Sequence, residues 1–235
     1  MKKYVFTAGL IAACATSISA NGFAGEPYDP WTGCYIGGNT GRASFDVHTI
    51  QPGNGADGNL GSSNGNGWSY GGQAGCDVRF QSFVFGIRGM WDGSNASADK
   101  TLVNFNIGNF PQEQQHTRLK EFKTLDAKIG FLSGPSFMIY GVGGWAWSDL
   151  HTSFNESPGQ YWTADGSWTG YNVGIGGSWL FAPNWELWVE YDHLRFGERG
   201  LNVKFLGNGN SDFVTQKPSV DAVLVGVNYR FNFAH

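Results

Sequence analysis

Three residues near the C-terminal end, Glu190, Asp192 and His193, have the types a hydrolase would use: paired carboxylates for acid/base work and an imidazole beside them. Their spacing argues against that chemistry. The segment reads as a strand, so Glu190 and Asp192 share one face while His193 points to the other. No serine stands at a matching position on that strand. A wider set of charges shows the same parity on its own strands: Asp77 and Arg79, Arg88 and Asp92, Asp126 and Lys128, Glu190 and Asp192, and Arg230. Placed on one inner surface, these nine residues form a salt-bridged network, and the acid pair is satisfied by Arg88 or Lys128 rather than freed for catalysis. Glycine clusters at Gly141-Val142-Gly143-Gly144 and Gly174-Ile175-Gly176-Gly177 superficially resemble phosphate-binding loops, but lack the strand-to-helix context that motif needs.

The elements that carry these charges alternate with period two. In Val220–Phe231, Val223, Val225, Val227, Tyr229 and Phe231 interleave with Leu224, Gly226, Asn228 and Arg230. Four more segments show the pattern clearly: Trp68–Phe80, Phe83–Asp92, Phe122–Leu132 and Tyr171–Phe181. In Glu186–Asp192, Leu187, Val189 and Tyr191 oppose Glu186, Glu190 and Asp192. Two further strands, 32–49 and 137–151, have ambiguous facing. The connections alternate between short turns (Gln81-Ser82, Ser133–Ser136, Ala182–Asn184) and long polar stretches at 51–67, 93–118, 152–166 and 197–218.

Composition decides which face is greasy. The 235 residues include 36 Gly, 16% aromatic and only 14% charged residues, against roughly 7% Gly and 25% charged in ordinary soluble domains. The chain opens Met1-Lys2-Lys3, continues with an apolar run to about Ala15, and reaches small residues by Ala24. That is a signal peptide over residues 1–24, cut after Ala24 or after Ala20. The stretch ending at Cys14 also resembles a lipoprotein box. Beyond the leader no apolar run is long enough for a membrane helix, which needs roughly 20 residues, so a membrane form must be a closed barrel. Removing Lys2 and Lys3 takes the formal charge from −4 to −6, and no basic patch suggests nucleic acid.

The expected fold is all-β: an eight-stranded antiparallel up-and-down transmembrane barrel with short periplasmic turns and long extracellular loops. A lipid-facing mid-depth Arg or Lys would cost roughly 2–4 kcal/mol, which sends the charged faces inward. An eight-stranded interior is only just wide enough for its own side chains, so the network plugs the barrel; a narrow conduit for small solutes is the second reading. A secreted soluble β-sandwich binding carbohydrate is the third. Trp31, Trp68, Tyr70, Trp91, Trp147, Trp168, Trp185 and Tyr229 fall near strand ends and are expected in the aromatic girdles. Cys34 and Cys76 both lie toward the periplasmic end if the first two strands pair, close enough for a cross-strand bridge; the alternative is two unpaired membrane-facing thiols. No metal site, cofactor or catalytic residue is expected.

The pieces GCYIGGNTG, GGQAGCDVRF, FVFGIRG, YGVGGWAW, APNWELWVEYDHLRFG and VGVNYRF together resemble the small outer-membrane β-barrel family of Gram-negative bacteria, the OmpA/OmpX-like immunogenic or porin-family proteins. The resemblance implies an outer-membrane location among lipids and lipopolysaccharide, and assembly through the C-terminal strand by the barrel-assembly machinery. It further implies surface-exposed loops open to host or small-molecule ligands, and no catalytic machinery. The chain departs from the family pattern at Arg88 and Leu224, and in the residues 232–235 that follow Phe231.

Overall fold

The computed structural model describes residues 29–50, 59–102, 113–155, 161–205 and 211–231. The leader and its cleavage site, Cys14 and the tail 232–235 lie outside the described residues. Ten strand segments follow in order: β1 (Gly33–Ile50), β2 (Asn59–Phe80), β3 (Phe83–Ser94), β4 (Ser97–Leu102), β5 (Glu113–Leu132), β6 (Phe137–Asn155), β7 (Tyr161–Ala182), β8 (Trp185–Phe196), β9 (Arg199–Phe205) and β10 (Ser211–Phe231). Each pairs antiparallel with its neighbours, and β1 is bonded both to β2 and to β10, so the sheet closes on itself. β4 continues the wall begun by β3, as β9 continues β8, which leaves a ring of eight. Ring closure removes both edges, as a lipid-embedded sheet requires, and excludes the sandwich reading. Among the described residues no helix is long and apolar enough to cross a membrane.

The short turns fall where expected. Gln81 (φ 57°), Asn184 (φ 67°) and Gly134 (φ 106°) adopt the left-handed backbone that reverses the chain there. The long connections differ from the expectation. Much of 51–67, 93–118, 152–166 and 197–218 is strand, so β2 and β7 each reach 22 residues, where crossing a bilayer takes about 9–11. Sheet pairing is made by the backbone and does not need apolar side chains. Above the membrane the outer face can be polar, as at Ser62, Asn64 and Asn66, while Ser63, Gly65 and Gly67 turn inward.

Side chains alternate around the whole ring. Phe85, Ile87, Ile129, Ile139, Val173, Ile175, Val189 and Val225 are all between 44% and 62% exposed, so the outer surface carries an apolar band. The two ambiguous strands resolve the same way. Tyr35, Ala43, Phe45 and Val47 of β1 and Met138, Tyr140, Val142 and Ala146 of β6 face in, while Ile36, Trp145 and Trp147 face out. Close packing against β10 explains Gly37: a Cβ there would overlap the Asn228 amide oxygen and the Val227 backbone carbonyl.

Two of the expected girdle residues sit elsewhere. Trp31 and Trp168 are 0% and 2% exposed. Trp31 precedes β1 and folds under the barrel, where its indole N–H donates to the Pro135 carbonyl at 3.0 Å. Trp168 lies on the inward face of β7. The interior is therefore not ionic throughout. Phe45, Leu119, Phe122, Leu150, Trp168 and Leu194 belong to an apolar core in the half of the barrel toward the long hairpins. Trp31, Val84, Leu132, Met138 and Val142 form a second one at the end of the short turns.

Candidate functional site

Between those apolar layers lies the charged interior, in two tiers. The lower tier is built from β2, β5, β8 and β10, whose inward positions bring Asp77, Lys128, Glu186 and Arg230 together. Lys128 Nζ donates to Asp77 at 2.7 Å and to the Tyr35 hydroxyl at 3.3 Å. Arg230 Nη1 donates to Glu186 at 2.7 Å and its Nη2 to Asp77 at 3.0 Å. Arg230 also holds the segment before β1, through the Pro30 and Trp31 carbonyls at 3.0 and 2.9 Å. The Tyr35 ring lies 4.7 Å from Lys128 Nζ and 5.2 Å from the Arg230 guanidinium carbon, so its face helps satisfy both cations. Two acids and two cations make this tier neutral.

The upper tier centres on Arg88 of β3. Its guanidinium contacts Asp126 of β5 at 2.9 Å and both carboxylate oxygens of Glu190 of β8, at 2.7 and 2.8 Å. Thr124 donates to Asp126 at 2.7 Å, and Asn172 Nδ2 spans Asp126 (3.3 Å) and Asp192 (2.9 Å). Asn39 of β1 donates to Asp92 at 2.6 Å. Gln73 joins the tiers: it accepts from Arg88 at 3.2 Å and donates to Asn228 at 2.9 Å, whose own amide donates to Glu186 at 3.2 Å. Every one of these charged groups is at most 6% exposed.

Eight of the nine charges assigned to the interior from the sequence are found there. Arg79 is not. It has the inward parity but stands at the rim below the lower tier, with its side chain 36% exposed and paired to Asp29 at 3.3 Å. Glu186, inward by parity on β8 though not one of those nine, joins the network as Arg230's partner at 2.7 Å. The neutral members, Tyr35, Asn39, Gln73, Asn172 and Asn228, carry no charge to mark them. Alternation with outward Tyr171, Val173 and Tyr229 was the signal available for the last two. Cys34 and Cys76 are opposite each other in the β1–β2 register, on the outward face toward the short-turn end, and are joined as a disulfide with Cα atoms 3.9 Å apart.

The hydrolase constellation does not assemble. His193 turns outward, where its Nδ1 lies 2.8 Å from Asp221, which also accepts from Tyr191 at 2.5 Å. Glu190 and Asp192 face the barrel interior and are buried there. Above the apolar band, hydrogen bonds from Lys120 and then from His151 hold the Asp165 carboxyl below its ordinary range. His48, His116 and His151 stand on separate strands, and no group of three or more His, Cys, Asp or Glu among the described residues is arranged to hold a metal. The Gly141–Gly144 and Gly174–Gly177 clusters lie within β6 and β7, not at a strand-to-helix turn.

The chain is similar to several known proteins. The 31 kDa outer-membrane immunogenic protein of Brucella melitensis is 27% identical over 252 residues, covering 97% of this chain and all of that protein. Among solved structures, the outer membrane protein OprG from Pseudomonas aeruginosa aligns with 13% identity over 85% of this chain and 97% of its own, at a TM-score of 0.46. The outer membrane protease OmpT from Escherichia coli aligns with 11% identity over 85% and 97%, at a TM-score of 0.47. The sequence profile of the outer membrane protein beta-barrel domain matches residues 10–231. With a closed eight-walled ring, an apolar outer band and that match over nearly its whole length, the chain belongs to the outer membrane protein beta-barrel domain family and resides in the outer membrane.

Proposed function

We propose that this barrel is a sealed, non-catalytic anchor that contributes to envelope integrity and raises its long hairpins for contact with a host or small-molecule ligand. One observation carries this reading: an ionic layer closed on itself and covered at both ends by apolar side chains. Such an interior has its hydrogen-bonding capacity turned inward and supports no continuous wet path. The strands, running well past the length a bilayer needs, give rigid stalks to the four connections. The Brucella relative's name, an immunogenic outer-membrane protein, fits a surface-exposed role of this kind.

The partners that follow are membrane lipids and lipopolysaccharide against the apolar band, and the barrel-assembly machinery reading β10, whose Val223, Val225, Tyr229 and Phe231 all face outward. Single-channel recording in planar bilayers tests the seal. The refolded protein is expected to show no stable unitary conductance. Discrete, reproducible steps would overturn the sealed reading in favour of a narrow porin-like channel.

A further inference from the structure

The interior carries an uneven charge, and the unevenness is confined to one tier. Asp77 and Glu186 are matched by Lys128 and Arg230 below. Above, among the described residues, Arg88 is the one cation facing Asp92, Asp126, Glu190 and Asp192, all at most 2% exposed. Written with every carboxyl ionised, the upper tier holds three more negative than positive charges, a burden a water-excluded layer does not sustain. We propose that the upper tier stores protons at neutral pH: Glu190 and Asp192 hold one between them, and Asp92 carries another.

The hydrogen-bond pattern independently shows a deficit of donors. Among the described residues, Asp92 Oδ2, Asp192 Oδ2, Asn39 Oδ1 and Asn172 Oδ1 are buried acceptors with no partner, and Arg88 Nε is an unpaired donor beside them. Both amides already donate their Nδ2 to the acids, so their oxygens are left facing a group of acceptors. The Glu190 and Asp192 carboxyls stand two residues apart on the buried inward face of β8, and the Arg88 guanidinium is paired to Glu190. Two ionised carboxylates are acceptors only and repel, so a proton shared by the pair relieves what the single guanidinium does not neutralise.

The groups around the pair are Arg88 on β3, Asp126 on β5, Tyr140 on β6 and Asn172 on β7. Around Asp92 they are Asn39 on β1, Ser69 on β2, Arg88 and Glu190. None of them supplies a second cation; Lys128 and Arg230 are engaged below. The folded barrel then binds more protons than the unfolded chain at neutral pH, and stability falls as the pH rises. That is opposite in sign to a barrel stabilised by ion-paired carboxylates.

Infrared spectroscopy of the full-length protein in phospholipid vesicles tests the assignment directly. The wild type should show the carbonyl stretch of a neutral carboxylic acid at neutral pH, reduced in Asp192→Asn and in Asp92→Asn. Unfolding kinetics in urea give a second readout. The wild type should unfold about tenfold or more faster at about pH 9.5 than at about pH 7.5, above the histidine range, with a shallower dependence in each variant. A wild type with no neutral-acid band, or with a flat pH profile over that range, overturns the proposal; neither result needs a variant to fold. The inference rests on the sealed interior proposed above; bilayer recording reads conductance and infrared reads protonation, so failure of the one is distinguishable from failure of the other.

Discussion

Arg230 ties together more of the molecule than any other interior side chain described: Glu186 of β8, Asp77 of β2 and two carbonyls of the segment that closes the barrel's lower end. Its removal would leave two buried carboxylates facing one lysine. Arg230→Met is therefore expected to lower stability by about 3–5 kcal/mol, since breaking a buried pair strands a charge. Urea unfolding in vesicles measures this, and a loss under about 1 kcal/mol would mean that water reaches the tier. At this scale the sequence was a good guide to charge and a poor one to depth. Parity alone placed Asp77, Arg88, Asp126, Lys128 and Arg230 inside, because a charge on the lipid face is costly. Parity could not say that Arg79 lies past the end of the layer, nor that Glu186 lies within it.

Strand length was the least legible feature of the elements. Within the bilayer each strand is marked by an apolar outer face, as in Phe83–Trp91. Above it, Asn64 and Ser62 on β2 or Lys217 and Ser219 on β10 look like loop residues, although their backbones still pair. The register they keep is also what aligns Cys34 with Cys76. Bridging two residues 42 apart in sequence restricts the unfolded chain. On the chain-entropy estimate Cys34→Ser should cost about 4 kcal/mol while leaving the barrel closed. Heat-modified gel mobility reads both parts: the variant should migrate as a folded barrel when unboiled and convert at a lower temperature. A variant that never shows the folded band would make the bridge a condition of assembly rather than a brace.

For the whole molecule, what was legible was the inside-out polarity, since low charge content and period-two alternation together leave few other homes for so many apolar faces. What was not legible was the layering of the interior. Trp168, Phe45 and Leu150 are apolar residues on inward faces, so they look like exceptions in a one-dimensional reading and form a core only once the ring is closed. The outer band makes its own prediction: Ile87→Arg, 59% exposed on β3, should destabilise the barrel in vesicles by about 2–4 kcal/mol. In a soluble protein an arginine at so exposed a position would be nearly neutral.

Methyl NMR of the protein in lipid nanodiscs tests the polarity and the seal together. Ile129, Ile175, Val189 and Val225 methyls should show cross-relaxation with acyl-chain methylenes, while Leu194, Val220 and Leu224 should show it with neither lipid nor water. Lipid contacts at Leu194 or Leu224, or water at that level of the interior, would contradict the account.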